Sequence, residues 1–347
     1  MPSTHRHVDT KITTKLSRSS VSIVIPAHNE SCYLHGLLRG LGQHLGVSAE
    51  IIVVDNGSSD ATSAIAQQYP CTVIRRANKL FPSKARNLGA AQSNGSVLVF
   101  LDADVEITQR WGVELLAQLA SLQSGPAQIT GDQYHVSRFP SWLEKNWFQP
   151  IRSGHVRYIN GGNLITSRET YERLGGFDEQ LETGEDVDFC VRARRLGVAI
   201  VLNRNFVAHH EGYPKTIGRF LQRERWHGTS DFLSARRLLN SKVALATLVF
   251  FALNLAVLTT AVAALIASCN AYLTLVAGAL VVLLCLLSVL QKFRTSDIQT
   301  VIKALPIVYV YYWGRSLSMF DALSGMLKVF TVRTRQIILP RRGPTLD

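Results

Sequence analysis

From Val243 to Gln291 the chain runs for 49 residues without a charged side chain, between Lys242 on one side and Lys292 and Arg294 on the other. As a single helix this block would be about 74 Å long at ~1.5 Å per residue. That is more than twice the ~30 Å hydrocarbon core of a bilayer, so the block turns once. Its most polar point, Ser268-Cys269-Asn270, is the place for the turn. The halves of roughly 24 and 20 residues are each long enough to cross. A buried helical hairpin in a water-soluble core is the alternative, and two uncharged spans with basic ends disfavour it. Lys and Arg mark the cytoplasmic side of membrane helices, so both ends are expected in the cytoplasm.

The charge distribution agrees. The formal net charge is +12, but residues 1–191 sum to −2, whereas residues 192–241 and 242–347 carry +7 each. Nucleic-acid binding would want basic residues spread over a folded face with stacking aromatics between them; here they flank an apolar block, so no nucleic-acid partner is expected. The further apolar stretch Ala304–Trp313 is interrupted by Lys303, Pro306 and Arg315, with Asp321 beyond. Read as a third full span, it would put Lys328, Arg333, Arg335, Arg341 and Arg342 outside, against the charge rule. Residues 304–320 are therefore expected to form an interfacial or re-entrant helix, with Tyr309, Tyr311, Tyr312 and Trp313 in the headgroup region. The five cysteines show neither metal-ligand spacing nor a disulfide framework. The first 20 residues are polar and lack the apolar core of a secretory signal, which predicts a disordered leader.

Ahead of the hairpin, strand and helix patterns alternate. Val21–Ile25 reads as a buried strand, followed by Leu34, Leu37, Leu38, Leu41 and Leu45 at helical spacing. Then come a strand at Ile51–Val54, a helix from about Asp60 to Tyr69, a strand at Thr72–Ile74, a helix from Ser83 to about Gln92, and a strand at Val97–Leu101. Such alternation predicts a mostly parallel sheet covered on both faces, whose ligands bind at the carboxyl ends of the strands.

The polar residues after each strand are thus the candidates. After the first stand Ala27, His28, Asn29 and Glu30; after the second, Asp55-Asn56-Gly57-Ser58-Ser59-Asp60; after the fourth, Asp102-Ala103-Asp104. The second cluster also reads as a turn followed by a helix cap. No Gly-x-Gly-x-x-Gly follows the first strand and no Walker lysine motif occurs, which disfavours a dehydrogenase or a P-loop enzyme. Asp102 and Asp104, two apart in an extended segment, would point the same way. Two ionised carboxylates facing one spot call for a cation, and Mg²⁺ or Mn²⁺ completes its shell with phosphate oxygens and water. A diphosphate–metal site follows, to which Lys84 and Arg86 would add cationic contacts. Glu185 and Asp186 open an apparent helix, Val187–Leu196, where the dipole favours carboxylates; from position alone, cap and general base are equally open. The stretch Gln128–Ile159 carries Phe139, Trp142, Trp147 and Phe148 among basic residues, which suit either packing or stacking on a sugar.

Val24-Ile25-Pro26-Ala27-His28-Asn29-Glu30, Val53-Val54-Asp55-Asn56-Gly57-Ser58-Ser59-Asp60, Ala85-Arg86-Asn87-Leu88-Gly89, Phe100-Leu101-Asp102-Ala103-Asp104, Gly161-Gly162-Asn163 and Gly184-Glu185-Asp186 occur in this order. The series resembles the family 2 glycosyltransferases of the GT-A fold over about residues 20–235. The resemblance implies a metal-dependent (Mn²⁺ or Mg²⁺), inverting hexosyltransferase. Pro26, Asn29, Glu30, Asp55, Lys84, Arg86 and Asp102 would hold the donor, Asp55 accepting from the base. Asp104 with Asp102 would hold the metal, joined by His209 or His210, which read equally well as loop histidines. Asp186 would be the general base beside Glu185, and Gly161, Gly162 and Asn163 would meet the acceptor. Gln222-Arg223-Glu224-Arg225-Trp226 is similar to the Gln-x-x-Arg-Trp block of processive members, so Arg225 and Trp226 would join the acceptor site; the block also reads as an amphipathic juxtamembrane helix. Two spans cannot enclose a growing glycan, so one or a few sugars per acceptor are expected.

The expected order is a leader (1–20), a GT-A catalytic domain (21–215), a juxtamembrane helix (216–241), two transmembrane helices (242–292), and an interfacial helix with a basic cytoplasmic tail (293–347). The expected function is transfer from a nucleotide sugar, a UDP-sugar favoured, to a lipid-linked or saccharide acceptor at the cytoplasmic membrane, for polysaccharide or glycolipid synthesis. Transfer to polyprenyl phosphate is the alternative within enzymes. A non-catalytic glycan-binding membrane scaffold is the alternative outside them, against which the retention of every expected carboxylate argues.

Overall fold

The structure is a computed structural model and describes residues 20–338 except 134, 150–157, 182, 233, 268–270 and 295–296. The expected leader up to residue 19, the turn at 268–270, Arg152, Arg157 and the end of the tail from residue 339 lie outside the described residues. The chain forms two units, residues 1–132 with 158–208, and residues 133–157 with 209–347. The limits expected from sequence, 21–215, thus differ from the observed division: the segment 133–157 goes with the C-terminal helices.

The first unit is built on β1 (Val21–Ala27), α1 (Leu34–His44), β2 (Ala49–Asn56), α2 (Thr62–Ala66), β3 (Thr72–Arg76), α3 (Pro82–Ala91), β4 (Val97–Leu101), β5 (Val105–Ile107) and α4 (Gln109–Ser124). It continues through β6 (Gln128–Gly131), β7 (Asn163–Ser167), α5 (Arg168–Arg173), α6 (Glu185–Arg195) and β8 (Ala199–Leu202). The seven-stranded sheet has the order β3-β2-β1-β4-β7-β6-β8. β1 to β4 are mutually parallel, β7 runs antiparallel to β4 and β6, and β8 is parallel to β6. The apolar runs that predicted buried strands are buried throughout in β4 and nearly so in β1, as expected of strands covered on both faces. Val24, Leu98, Phe100, Leu164, Phe177 and Phe189 share one core cluster.

Strand ends differ from the pattern by a few residues. β1 runs on through Pro26 and Ala27. The register with β4 stops at Val24 while that with β2 continues to Ala27, so the proline falls where one side of the strand needs no N–H. The helix expected over Asp60–Tyr69 is only Thr62–Ala66: Asp60 is spent on capping contacts to Thr62 and Ser31 rather than lying inside the helix.

The second unit contains a π-helical turn (Glu144–Phe148), α7 (Ile217–Gly228), α8 (Ala235–Asn240), α9 (Lys242–Ala267), α10 (Tyr272–Phe293) and α11 (Ile298–Ile338). The helices Lys242–Ile266 and Tyr272–Phe293 are long and apolar enough to cross a membrane. The stretch at 304–320 is not a short separate helix. It lies within α11, a single helix of 41 residues with Pro306 inside it. Val301, Ala304, Ile307, Val308, Tyr311 and Tyr312 recur at helical spacing and are buried against the core formed with Phe250, Val289 and Phe293. This packing outweighs the loss of one backbone hydrogen bond at the proline. Trp147 fills the centre, with ring centroids 5.3 Å from Phe220, 5.7 Å from Phe293 and 5.3 Å from Tyr311.

Candidate active site

The carboxyl ends of β1, β2 and β4 open on one edge of the sheet, and hydrogen bonds tie their loops together. Asn29 adopts a left-handed backbone (φ 58°). Its side-chain oxygen accepts from the Ser59 N–H at 2.9 Å, its own N–H donates to Ser58 Oγ at 3.0 Å, and the Glu30 N–H donates to Thr62 Oγ1 at 2.8 Å. The first candidate loop is thereby fixed on the second. Asp55, at the end of β2, is fully buried. Its Oδ1 accepts from the Ser58 N–H at 3.0 Å. Its Oδ2 is enclosed with no hydrogen-bond donor, 3.7 Å from Arg75 Nε. A buried carboxylate oxygen held in this way is costly unless a donor arrives.

Asp102 and Asp104 do not lie in an extended run. The Val105 N–H donates to the Asp102 carbonyl at 3.2 Å, closing a turn after β4. The two carboxylates nevertheless share a neighbourhood with Glu30. Burial first, then the charges of Asp104, Asp102 and Asp60, push the Glu30 carboxyl up to about 8. Three acids that repel one another fit a bound cation. Among the described residues, no group of three His, Cys, Asp or Glu is arranged to hold a metal unaided. Lys84 stands half-buried in the first turn of α3, after Pro82.

Arg86 has two carboxylate partners within the site. It is 4% exposed, and its guanidinium donates through Nη1 to Glu185 Oε1 at 2.6 Å and through Nη2 to Asp102 Oδ1 at 2.5 Å. Glu185 opens α6 and is itself buried, whereas Asp186 beside it is half-buried. Gly184, the N-cap, has φ 79°, which only glycine adopts without strain. Asp186 Oδ2 accepts from the Gly161 N–H at 3.1 Å. Burial, then the charge of Glu185, raises the Asp186 carboxyl to about 6, against the lowering pull of the Gly161 N–H and Arg86. A carboxylate poised near neutrality is suited to take a proton.

Gly161 and Gly162 join the two halves of this arrangement. The Asp102 N–H donates to the Gly162 carbonyl at 3.2 Å, and a Cβ on Gly161 would stand 3.2 Å from Arg86 Cζ. The Asn163 side chain is turned into the core. Fully buried, it accepts from Trp111 Nε1 at 2.9 Å and donates to the carbonyls of Phe206 at 2.9 Å and Asp132 at 3.3 Å. Asn160 was missed by sequence reasoning. Its side-chain oxygen is enclosed without a donor, and its position just before Gly161-Gly162 was the available signal.

His209, His210, Arg225 and Trp226 belong to the second unit. His209 Nδ1 lies 2.9 Å from the Val136 carbonyl. That contact sets the proton on Nδ1 and leaves Nε2 with its lone pair, the tautomer a metal ligand needs. His210 is stacked on Tyr213, ring centroids 4.2 Å apart. Arg225 pairs with Asp321 of α11 through Nε at 2.5 Å and Nη2 at 2.6 Å. Trp226 is exposed.

Comparison with known proteins gives this geometry a family. The model of glycosyl transferase family 2 matches residues 22–203, and that of glycosyl transferase family group 2 matches residues 117–313. The chain is 27% identical to "Glycosyltransferase AglE" of Haloferax volcanii over 217 residues, 59% of this chain and 70% of that protein. It is 27% identical to "Amylovoran biosynthesis glycosyltransferase AmsB" of Erwinia amylovora over 205 residues, 53% of this chain and 66% of that protein. With the pre-mycofactocin glycosyltransferase of Mycobacterium tuberculosis the match, at 26% identity, spans 53% of this chain but only 41% of the relative. Among solved structures, the mannosyltransferase PcManGT of Pyrobaculum calidifontis, in complex with GDP-Man and Mn²⁺, superposes with a TM-score of 0.50 at 20% identity, covering 85% of this chain and 86% of that one. The mixed sheet with helices on both faces is thus GT-A-like, and the chain belongs to glycosyltransferase family 2.

Proposed function

We propose that the protein is a membrane-anchored, inverting glycosyltransferase that moves a sugar from a nucleotide diphosphate donor to a hydroxyl of a lipid-linked or saccharide acceptor. The observation that carries this reading is Asp186, held by the Gly161 N–H at the start of α6 with its proton affinity raised to about 6. In an inverting transfer the acceptor hydroxyl attacks the anomeric carbon from the face opposite the diphosphate, and a carboxylate takes its proton. Asp186 is that base. Asp55 receives an N–H of the nucleotide base at its enclosed Oδ2. Asp104 and Asp102, beside Glu30, would hold Mn²⁺ or Mg²⁺, whose charge would offset that of the departing diphosphate. A nucleotide-sugar donor and a divalent ion are in keeping with the GDP-Man and Mn²⁺ bound by PcManGT. A role in polysaccharide assembly is in keeping with the amylovoran relative.

Two observations favour the membrane. The hairpin helices are apolar, and their large side chains are left uncovered, Leu265 being 84% and Ile266 79% exposed. A water-soluble protein does not leave such a surface bare. The basic ends of the hairpin support a cytoplasmic position for its termini and for the catalytic unit.

The test is to incubate membranes carrying the protein with a panel of labelled nucleotide sugars, with Mn²⁺, Mg²⁺ or chelator, and follow label into lipid extracts. Metal-dependent incorporation that Asp186→Asn abolishes is expected. Incorporation unchanged by that substitution would remove Asp186 as the base, and no transfer from any donor would favour the scaffold.

A further inference from the structure

We infer that Arg86 is a positioning residue of the transfer reaction, a buried clamp that joins the loop after β4 to the start of α6 and so holds Asp186 in place, rather than a ligand of the donor diphosphate. The inference rests on the glycosyltransferase reading above. Its observations are geometric. Two terminal nitrogens of one guanidinium are committed to carboxylates of different elements, Glu185 at 2.6 Å and Asp102 at 2.5 Å. The group is turned away from water, and its Cζ lies 5.8 Å from the centre of the Phe177 ring. Gly161 closes over it, since any Cβ there would come within 3.2 Å of Cζ, and the same glycine donates its N–H to Asp186 at 3.1 Å. One planar fork therefore fixes Glu185, the backbone that orients Asp186, and the carboxylate beside the candidate cation. Planarity matters, because lysine can neutralise one carboxylate but cannot span two in a fixed geometry.

Charge gives the clamp a second consequence. Glu185 and Asp186 are adjacent acids in a poorly solvated place, and neutralising Glu185 leaves Asp186 as the one that meets a substrate proton. Without Arg86, Glu185 is a buried carboxylate lacking its counter-ion, the costly outcome of breaking such a pair, and the start of α6 must rearrange to hydrate it.

The test uses the full-length protein in detergent or membranes, with Arg86→Gln and Arg86→Lys. UDP and GDP binding in Mn²⁺ is measured by calorimetry, turnover is measured at saturating labelled donor, and hydrogen exchange is followed in peptides covering residues 100–106 and 180–190. The clamp predicts nucleotide affinity close to that of the parent, turnover down about 10²-fold as expected for a misplaced catalytic group, partial recovery with Arg86→Lys, and faster exchange in both peptides. Nucleotide affinity weakened about tenfold or more with turnover at saturation preserved would overturn it and return Arg86 to the diphosphate. A lower number of binding sites with full turnover per site would overturn it in favour of a purely structural role. Unchanged exchange in both peptides would overturn the clamp whether or not the parent transfers sugar, whereas a parent that transfers from no donor counts against the transferase reading alone.

Discussion

Glu185 and Asp186 are neighbours in sequence, yet one is spent on an arginine and the other is the proposed base. This difference makes the pH behaviour testable. The base works ionised, so kcat/KM should fall about tenfold per pH unit below about 6, and Asp186→Asn should lose about 10²- to 10⁴-fold in turnover at pH 7.5. Stability has the opposite sign. The folded state holds the Asp186 proton up to about 6, above its ordinary 3.8, so stability from this group is present below 3.8 and lost as pH rises through 6. Asp186→Asn should therefore be at least as stable as the parent at pH 8 in denaturant melts, with the advantage vanishing near pH 4. A stability loss at pH 8 would contradict the raised proton affinity. At Asp55, substitution by Ala removes the oxygen awaiting a donor, and nucleotide affinity by calorimetry should weaken by about 1–3 kcal/mol. The placement of Asp55, Asp102 and Asp104 at strand ends was legible in the sequence, from the alternation of strand and helix patterns. The ion pairs of Arg86 were not, since a cation beside a suspected diphosphate invites a reading of direct contact. Yet Ala85, Arg86, Gly89 and Ala90 lie on one buried face of α3, and that periodicity was the sign that residue 86 faces inward.

At the scale of elements, α7 and α11 are joined by two kinds of ion pair. Glu224, 2% exposed, receives Arg223 at 2.6 Å and Arg315 at 3.1 Å, and Arg315 also reaches Asp231 at 3.4 Å. The pair between Arg225 and Asp321 is open to solvent. Glu224→Ala removes the buried carboxylate that Arg223 and Arg315 share and leaves Arg315 only its longer contact to Asp231, so its cost should be about 3 kcal/mol, whereas Asp321→Ala should cost far less because water screens the pair. Thermal or denaturant unfolding of both variants in one detergent checks the order, and equal losses would refute it. The sequence showed the amphipathic character of residues 216–241 and the aromatics beyond residue 304. It did not show the partner of either, because the helical spacing of Val301, Ala304, Val308 and Tyr311 is interrupted to the eye by Lys303, Pro306 and Arg315. Those cations break a membrane-span pattern, but Arg315 also supplies the counter-charge that lets α11 pack on α7. A cation inside an apolar helix thus reads as a solvent-facing defect until its acid is found 91 positions earlier.

At the scale of the whole chain, the charge asymmetry and the uncharged block make one prediction together. Candidate spans that expose Leu258, Val262 and Leu265 on one helix and Leu275, Val282 and Leu287 on the next need a hydrocarbon solvent, and an arginine in the middle of either should oppose insertion by about 2.5–3.5 kcal/mol. Leu255→Arg or Val282→Arg should move the protein from the membrane pellet to the alkaline-extractable or aggregated fraction. A conservative Leu255→Val should not. Sidedness is a separate question and needs its own readout. In a cysteine-free background, a cysteine replacing Tyr272 should react with an impermeant maleimide added from outside intact cells, whereas one replacing Lys242 or Arg294 should react only after the membrane is opened. The reverse pattern would place the basic ends outside and detach a nucleotide-sugar enzyme from its cytoplasmic donor. Labelling of all three positions in intact cells would show that the helices lie on a surface instead of crossing, and the hairpin would then be a docking element rather than an anchor.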